Sequence, residues 1–176
     1  MTTIHSSHDT YELTGTRWRL DPARSSASFR VPFIWGLSSV NGRFEDLAGS
    51  LEVDDDAHWQ IVLALDAASV DTGNPRRDKH LRSATFFDVA RHPVVRFRSR
   101  GVTERGDRLE VLGELEAAGQ RVPLHVEVTL AGADGWLELE AVATVDQRQL
   151  GMTYSPLGVI RTPTALSVHA RLLPER

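Results

Sequence analysis

The chain has 176 residues, enough for one domain with a substantial core, and a formal net charge of -4. Hydrophobic residues make up 41% and charged residues 25%, the balance of a globular protein with no basic stripe to hold nucleic acid. It contains no cysteine, which excludes disulfides, zinc–thiolate sites and thiol catalysis.

Residues 1–15 are polar and without period, and they predict a flexible N-terminal arm ahead of a single domain over residues 16–176. The arm has neither a basic n-region nor an apolar h-region, so the expected location is cytoplasmic. No run approaches the roughly 18 apolar residues of a membrane-spanning helix.

From there the dominant signal is alternation at period two, the mark of strands with one buried face. Short strands are expected near Trp18–Leu20, Val40–Phe44 and Ser50–Val53. Ala27, Phe29, Val31 and Phe33 share one face, and Ile61, Leu63 and Leu65 line up next. Val95 and Phe97 oppose Arg96 and Arg98; Leu109, Val111, Gly113 and Leu115 oppose Arg108, Glu110, Glu114 and Glu116. Val122, Leu124, Val126, Val128 and Leu130 oppose His125, Glu127 and Thr129, while Leu137, Leu139, Ala141 and Ala143 oppose Glu138 and Glu140. Leu166, Val168, Ala170 and Leu172 close the series. Turn residues gather between these runs, so the connections are short and the strands antiparallel. The fold class is all-β. Either a two-sheet sandwich or a barrel satisfies the pattern, and an eight-stranded barrel is wide enough for one small ligand.

One segment breaks the alternation. Asn74 is a suitable N-cap and Pro75 suits the first helical position, which predicts a short helical segment near residues 75–88. Ser83 is expected to cap a second turn carrying Phe86 and Phe87, which must pack on the barrel end or in its mouth. Asp78 and Arg82 stand four apart and can pair, and Arg77 can reach Asp71 or Asp88. Arg76 and Lys79 complete a charge cluster whose signs are interleaved, as in a self-paired loop.

Chemical readings of this segment are weaker. Asp71-Thr72-Gly73 has the form of an aspartic-protease loop, but that chemistry needs two such carboxylates and no second triplet exists. Gly73 is better read as a turn residue. Asp78, His80 and His92 match no zinc spacing, and neither a phosphate loop nor a Gly-x-Ser-x-Gly elbow occurs. His5, His8, His58, His125 and His169 read as surface residues. A small β enzyme acting on an apolar substrate, with Asp71, Arg77, Asp78 or His80 as acid and base, is the alternative class.

An ordered series of motifs then points to one family. It runs from Trp18-Arg19-Leu20-Asp21-Pro22 through Phe29-Arg30-Val31 and Val40-Asn41-Gly42-Arg43-Phe44. Its most specific part is Val70-Asp71-Thr72-Gly73-Asn74 with Arg77-Asp78 and His80-Leu81-Arg82-Ser83, followed by Phe86-Phe87-Asp88-Val89 and His92-Pro93. Gly113-Glu114-Leu115, Arg148-Gln149-Leu150-Gly151-Met152 and the strand Leu166–Arg171 complete it. Over residues 16–173 the chain resembles the YceI family of lipocalin-like, polyisoprenoid-binding proteins. The resemblance implies an antiparallel barrel whose apolar bore takes an isoprenoid lipid such as a polyprenyl quinone, with no catalysis, cofactor or metal. The ligand-binding positions it implies are Phe29, Val31, Phe33, Phe44, Leu63, Leu65, Phe86, Phe87, Val95, Phe97, Val111, Leu115 and Met152. Asp71, Arg77, Asp78 and Arg82 become a structural charged loop. The chain departs from the family where many members carry a histidine after the Phe-x-Val strand, since Pro32-Phe33-Ile34-Trp35 follows Val31 here. Many members also carry a secretory signal. A homodimer is expected from exposed tryptophans, with Trp35, Trp59 and Trp136 as candidates.

Overall fold

The computed structural model describes residues 3–5, 10–33, 38–133, 135–152 and 163–175. In chain order the strands are β1 (Thr3–His5), β2 (Thr10–Glu12), β3 (Thr16–Leu20), β4 (Ser26–Phe33), β5 (Ser38–Phe44), β6 (Leu47–Val53) and β7 (Trp59–Asp66). Then come β8 (Val70–Asp71), the helix α1 (Pro75–Arg82), β9 (Val94–Arg105), β10 (Arg108–Ala117), β11 (Gln120–Ala133), β12 (Trp136–Val145) and β13 (Thr164–Pro174).

The ladder order β12-β11-β10-β9-β7-β6-β3-β13, closed by β12 against β13, is an eight-stranded antiparallel barrel. Closure hides the ladder edges that an open sheet would expose. The alternation dictates which face turns inward: along β11, Val122, Leu124, Val126 and Val128 are buried while the residues between them are exposed. No helix among the described residues is long and apolar enough to cross a membrane.

The strand beside β13 is broken into two segments. β3 pairs with β13 through Leu20 and Leu172, whereas β4 pairs with the earlier part of β13 through Phe29 and Leu166. Between them a 3-10 turn spans Pro22–Arg24, capped by the Asp21 carboxylate, which accepts from Ala23 N at 3.0 Å. Ser25 Oγ pins this corner by donating to Asp21 O at 2.6 Å and accepting from Arg171 N at 3.1 Å. β5 follows β4 in the same upper layer, and β8 adds only Val70 and Asp71 to its far edge. The chain then crosses from the edge of β5 through α1 to β9, beside β7. Residues 72–93 thus fill the part of the wall that no strand occupies.

The two ends of the barrel differ. The hairpins β6–β7, β9–β10 and β11–β12 share one end, where Leu13, Val53 and Leu137 are 0% exposed and Trp18 and Leu109 are buried. The opposite end carries the β10–β11 hairpin, α1 and the 3-10 turn Gln147–Leu150.

The N-terminus corrects the expected arm. β1 and β2 pair with each other, Thr14 bridges Val53, and Gly15 N donates to Val53 O at 2.8 Å. Leu13 fills the closed end, so the packed domain begins before residue 16; a single apolar residue among polar ones carries no period and reads as a tail. α1 stops at Arg82, because Ser83 is extended (φ -70°, ψ 167°) and its Oγ donates to His80 O at 2.6 Å. Phe86 and Phe87 ride on the turn that follows, with Asp88 at a positive φ of 48°.

Candidate functional site

A cavity of about 640 Å³ runs from the α1 end into the barrel, lined by inward residues of the ring and of β4 and β5. Phe29, Val31, Phe44, Leu63, Leu65, Phe86, Phe87, Val95, Phe97, Val111, Leu115 and Met152 all lie on its wall. Phe33, expected beside them, has its side chain outside the described residues. Small inward residues keep the space open: Ala27, Ala141, Ala143 and Ala170 line it, as does Gly49. Bulkier side chains at those positions would fill the bore, so the alternation in size decides between a hollow and a solid core.

Leu81 of α1 and Gln147, Arg148, Leu150 and Thr164 also line the cavity, none of them expected from the strand pattern. The legible signal was Asp146, whose carboxylate caps the 3-10 turn by accepting from Arg148 N at 3.0 Å. That turn aims Leu150, which is buried, toward the bore. Thr164 Oγ1 donates to Gln147 Oε1 at 3.0 Å and ties the turn to β13.

An aromatic chain leads from the wall to the segment after α1. The Phe29 and Phe44 rings lie 5.8 Å apart, and Phe44 meets Phe87 edge-on at 5.6 Å. Phe86 packs edge-on against His80 at 5.1 Å. Such tilted pairs put positive ring edges against negative faces and fix the rings as a unit.

The charged loop is organised around the turn at residues 71–74, not around the helix. Asn74 Oδ1 accepts from Arg76 N and Arg77 N, the expected N-cap. Asp78 is buried, and its Oδ1 accepts from Thr72 N at 2.9 Å and Thr72 Oγ1 at 2.5 Å. Arg77 reaches the same residue, donating from Nε to Thr72 Oγ1 at 2.8 Å and from Nη2 to Thr72 O at 2.9 Å. Arg82 donates to Ala68 O at 2.7 Å and to Val70 O at 2.9 Å. The expected Asp78–Arg82 and Arg77–Asp71 or Arg77–Asp88 pairings are therefore replaced by bonds to Thr72 and to backbone. The reason is that the carbonyls of residues 68, 70 and 72, in and around the short edge strand β8, need donors. Asp71 pairs with Arg43 at 3.0 Å and accepts from Gly73 N at 2.8 Å, which holds Gly73 at its φ of 72°.

Of the four residues of the acid–base alternative, Arg77 and His80 line the cavity and Asp71 and Asp78 do not; among the described residues no carboxylate lines it. Among the described residues no group of three His, Asp or Glu is placed to hold a metal ion. The polar groups on the wall are Ser28, Ser50, Arg77, His80, Gln147, Arg148, Thr164 and Ser167. Arg148 makes a bidentate pair with Asp146, 2.7 Å at its shortest, and this contact, with Arg148 N–H, holds the Asp146 carboxyl below its ordinary pKa. Trp59 and Trp136 are half-buried rather than exposed, with the Arg171 guanidinium 3.9 Å from the Trp136 ring centre; Trp35 lies outside the described residues.

Known proteins share this architecture. The barrel overlays BcnA of Burkholderia cenocepacia with a TM-score of 0.77 at 18% identity, covering 86% of this chain and 98% of that one. It overlays a polyisoprenoid binding domain from Saccharophagus degradans, implicated in plant cell wall breakdown, with a TM-score of 0.73 at 15% identity, covering 90% and 98%. At these identities the likeness is one of fold. In sequence, the chain is 35% identical over 113 residues to Protein YceI of Escherichia coli O157:H7, covering 62% of this chain and 59% of that protein. It is 35% identical over 119 residues to a UPF0312 protein of Vibrio cholerae, covering 65% and 62%. The matched region thus spans about three fifths of the length of these relatives. The YceI-like domain profile matches residues 18–172, from Trp18 on β3 to Leu172 on the closing strand, and the chain therefore belongs to the YceI-like family.

Proposed function

We propose that the barrel binds an isoprenoid lipid, its chain in the bore and its head at the α1 end, and carries or sequesters it without chemical change. The observation that carries this reading is the cavity of about 640 Å³, walled mainly by aliphatic and aromatic side chains and, among the described residues, without a carboxylate. That volume lies within the range of small-molecule sites. The Saccharophagus degradans neighbour, described as a polyisoprenoid binding domain, supports the same ligand class.

The energetics suffice. A buried methylene contributes about 0.8 kcal/mol, so a five-carbon unit contributes about 4 kcal/mol before association costs. A few such units reach about micromolar affinity with no head-group contact. Arg77, His80, Gln147 and Arg148 supply donors on the cavity wall, which suits an acceptor-bearing head such as a quinone.

The test is organic extraction of natively purified protein with mass spectrometry, followed by titration of the emptied protein with a long-chain prenyl quinone. A co-purified prenyl lipid, or saturable uptake of the quinone, is expected. Ala143→Trp, which fills the bore from β12, should abolish uptake while thermal unfolding stays cooperative. Protein that emerges empty and takes up no quinone would overturn the proposal.

A further inference from the structure

Two glycines lie beneath aromatic rings of the bore wall. On β4 and β5, Phe29 and Gly42 are direct cross-strand partners, so both point inward. The Phe29 ring lies flat across Gly42. A Cβ at residue 42 would overlap Cζ of that ring and stand 2.7 Å from Cε1 and 2.9 Å from Cε2, distances real Cβ atoms do not adopt. Across the barrel, Gly113 on β10 lies beneath the Phe97 ring of β9, where a Cβ would overlap Cζ and Cε2 and meet Arg98 O at 2.5 Å. β9 and β10 shift register between Leu112 and Gly113, which brings the ring over the glycine.

Both rings line the cavity. A phenylalanine on a small bore has two choices: stand into the lumen or lie along the wall. Lying along the wall requires that the residue beneath it have no side chain. The ring then covers the glycine's backbone and still leaves the lumen free.

We propose that Gly42 and Gly113 are specificity-determining residues that keep the bore wide enough for a methyl-branched chain, so that branched lipids are retained over straight ones. This rests on the lipid-carrier reading above. Gly42 is the cleaner site, because the three nearest atoms to its missing Cβ all belong to the Phe29 ring, whereas Gly113 also meets backbone. In Gly42→Ala the ring swings off the wall into the lumen. In the double variant Phe29→Leu with Gly42→Ala, the smaller side chain returns the space.

The experiment compares wild type, Gly42→Ala and the double variant, each first shown by thermal unfolding to be folded. Each is titrated with geranylgeraniol and with the unbranched saturated alcohol of equal carbon number, by displacement of a fluorescent apolar probe. Gly42→Ala should weaken geranylgeraniol about tenfold or more while changing the straight chain less than threefold, and the double variant should recover the branched ligand. Equal loss of both ligands, no loss of either, or no recovery in the double variant would overturn the proposal. A crystal structure of Gly42→Ala supplies a readout without ligand. If wild type binds neither alcohol, the carrier reading falls, and the position of the Phe29 ring alone decides the calibre: a ring in the lumen sustains it, and a ring still on the wall overturns it.

Discussion

The two ends of the barrel are built from the same alternating strands yet packed to opposite purposes. At the hairpin end Leu13, Val53 and Leu137 are 0% exposed, and Trp18 closes behind them. Toward the α1 end, inward residues line a cavity of about 640 Å³: Leu63 and Phe97 are partly buried there, and Leu65 and Leu115 are buried yet still border the space. Alternation therefore says which face turns inward, and side-chain size says whether that face meets a neighbour or a void.

The largest effect that tests this contrast is truncation of one leucine at each end. Leu137→Ala should cost about 2–5 kcal/mol, because a tightly packed site leaves a cavity behind. Leu63→Ala should cost about 1–2 kcal/mol, since its side chain already borders empty space and mainly the transfer term is lost. Urea unfolding of both variants reads the difference, and equal costs would show that the two ends are packed alike.

Next in size is the tie that holds α1 in the wall. Asp78→Ala removes a buried acceptor and leaves Thr72 N–H without its partner, for an expected loss of about 1–3 kcal/mol. The loss should be local to the open end. Hydrogen exchange should quicken over residues 72–93 and hold steady at Leu137; uniform quickening would mean that the helix supports the whole barrel.

The smallest effect concerns acid. Asp146 near the mouth and Asp54 in the β6–β7 hairpin both have pKa values below the ordinary 3.8, the first through the Arg148 side chain and N–H, the second through His58 N–H. Because the folded values are depressed, each contribution is present in full above the ordinary value and is lost as pH falls through the folded one. Both groups are exposed, so a slight loss of stability below about pH 4 is expected. Asp54→Asn and Asp146→Asn should each flatten part of it, by thermal melts across pH 2–5.

Much of this was legible in the chain. The inward faces of β7, β9, β10, β11, β12 and β13 follow from period two, and Asn74-Pro75 marks the start of α1. What periodicity could not carry is whatever depends on a single residue or on a distant partner. Leu13 seals the closed end with no pattern around it. Charges in α1 allowed i,i+4 pairing, yet Arg82 and Arg77 spend their donors on carbonyls of residues 68, 70 and 72, which only the fold brings near. Gly42 reads as one more residue of the strand Val40–Phe44 until Phe29 is laid across it. The hollowness of the bore is a property of summed volumes around a ring, not of any strand.

The position of β13 in the ring has a consequence for how the protein is made. This strand joins β12 on one side and both β3 and β4 on the other, and its Ser167 bonds Ser28 across 139 positions. Until residues 164–174 leave the ribosome, β3, β4 and β12 each present an unpaired edge, and the apolar bore has no fourth side. Closure therefore waits on β13 and is highly non-local, the kind of pairing that forms slowly and leaves strands exposed on the way. A lipid that enters before the ring shuts would meet an open trough instead of a narrow mouth.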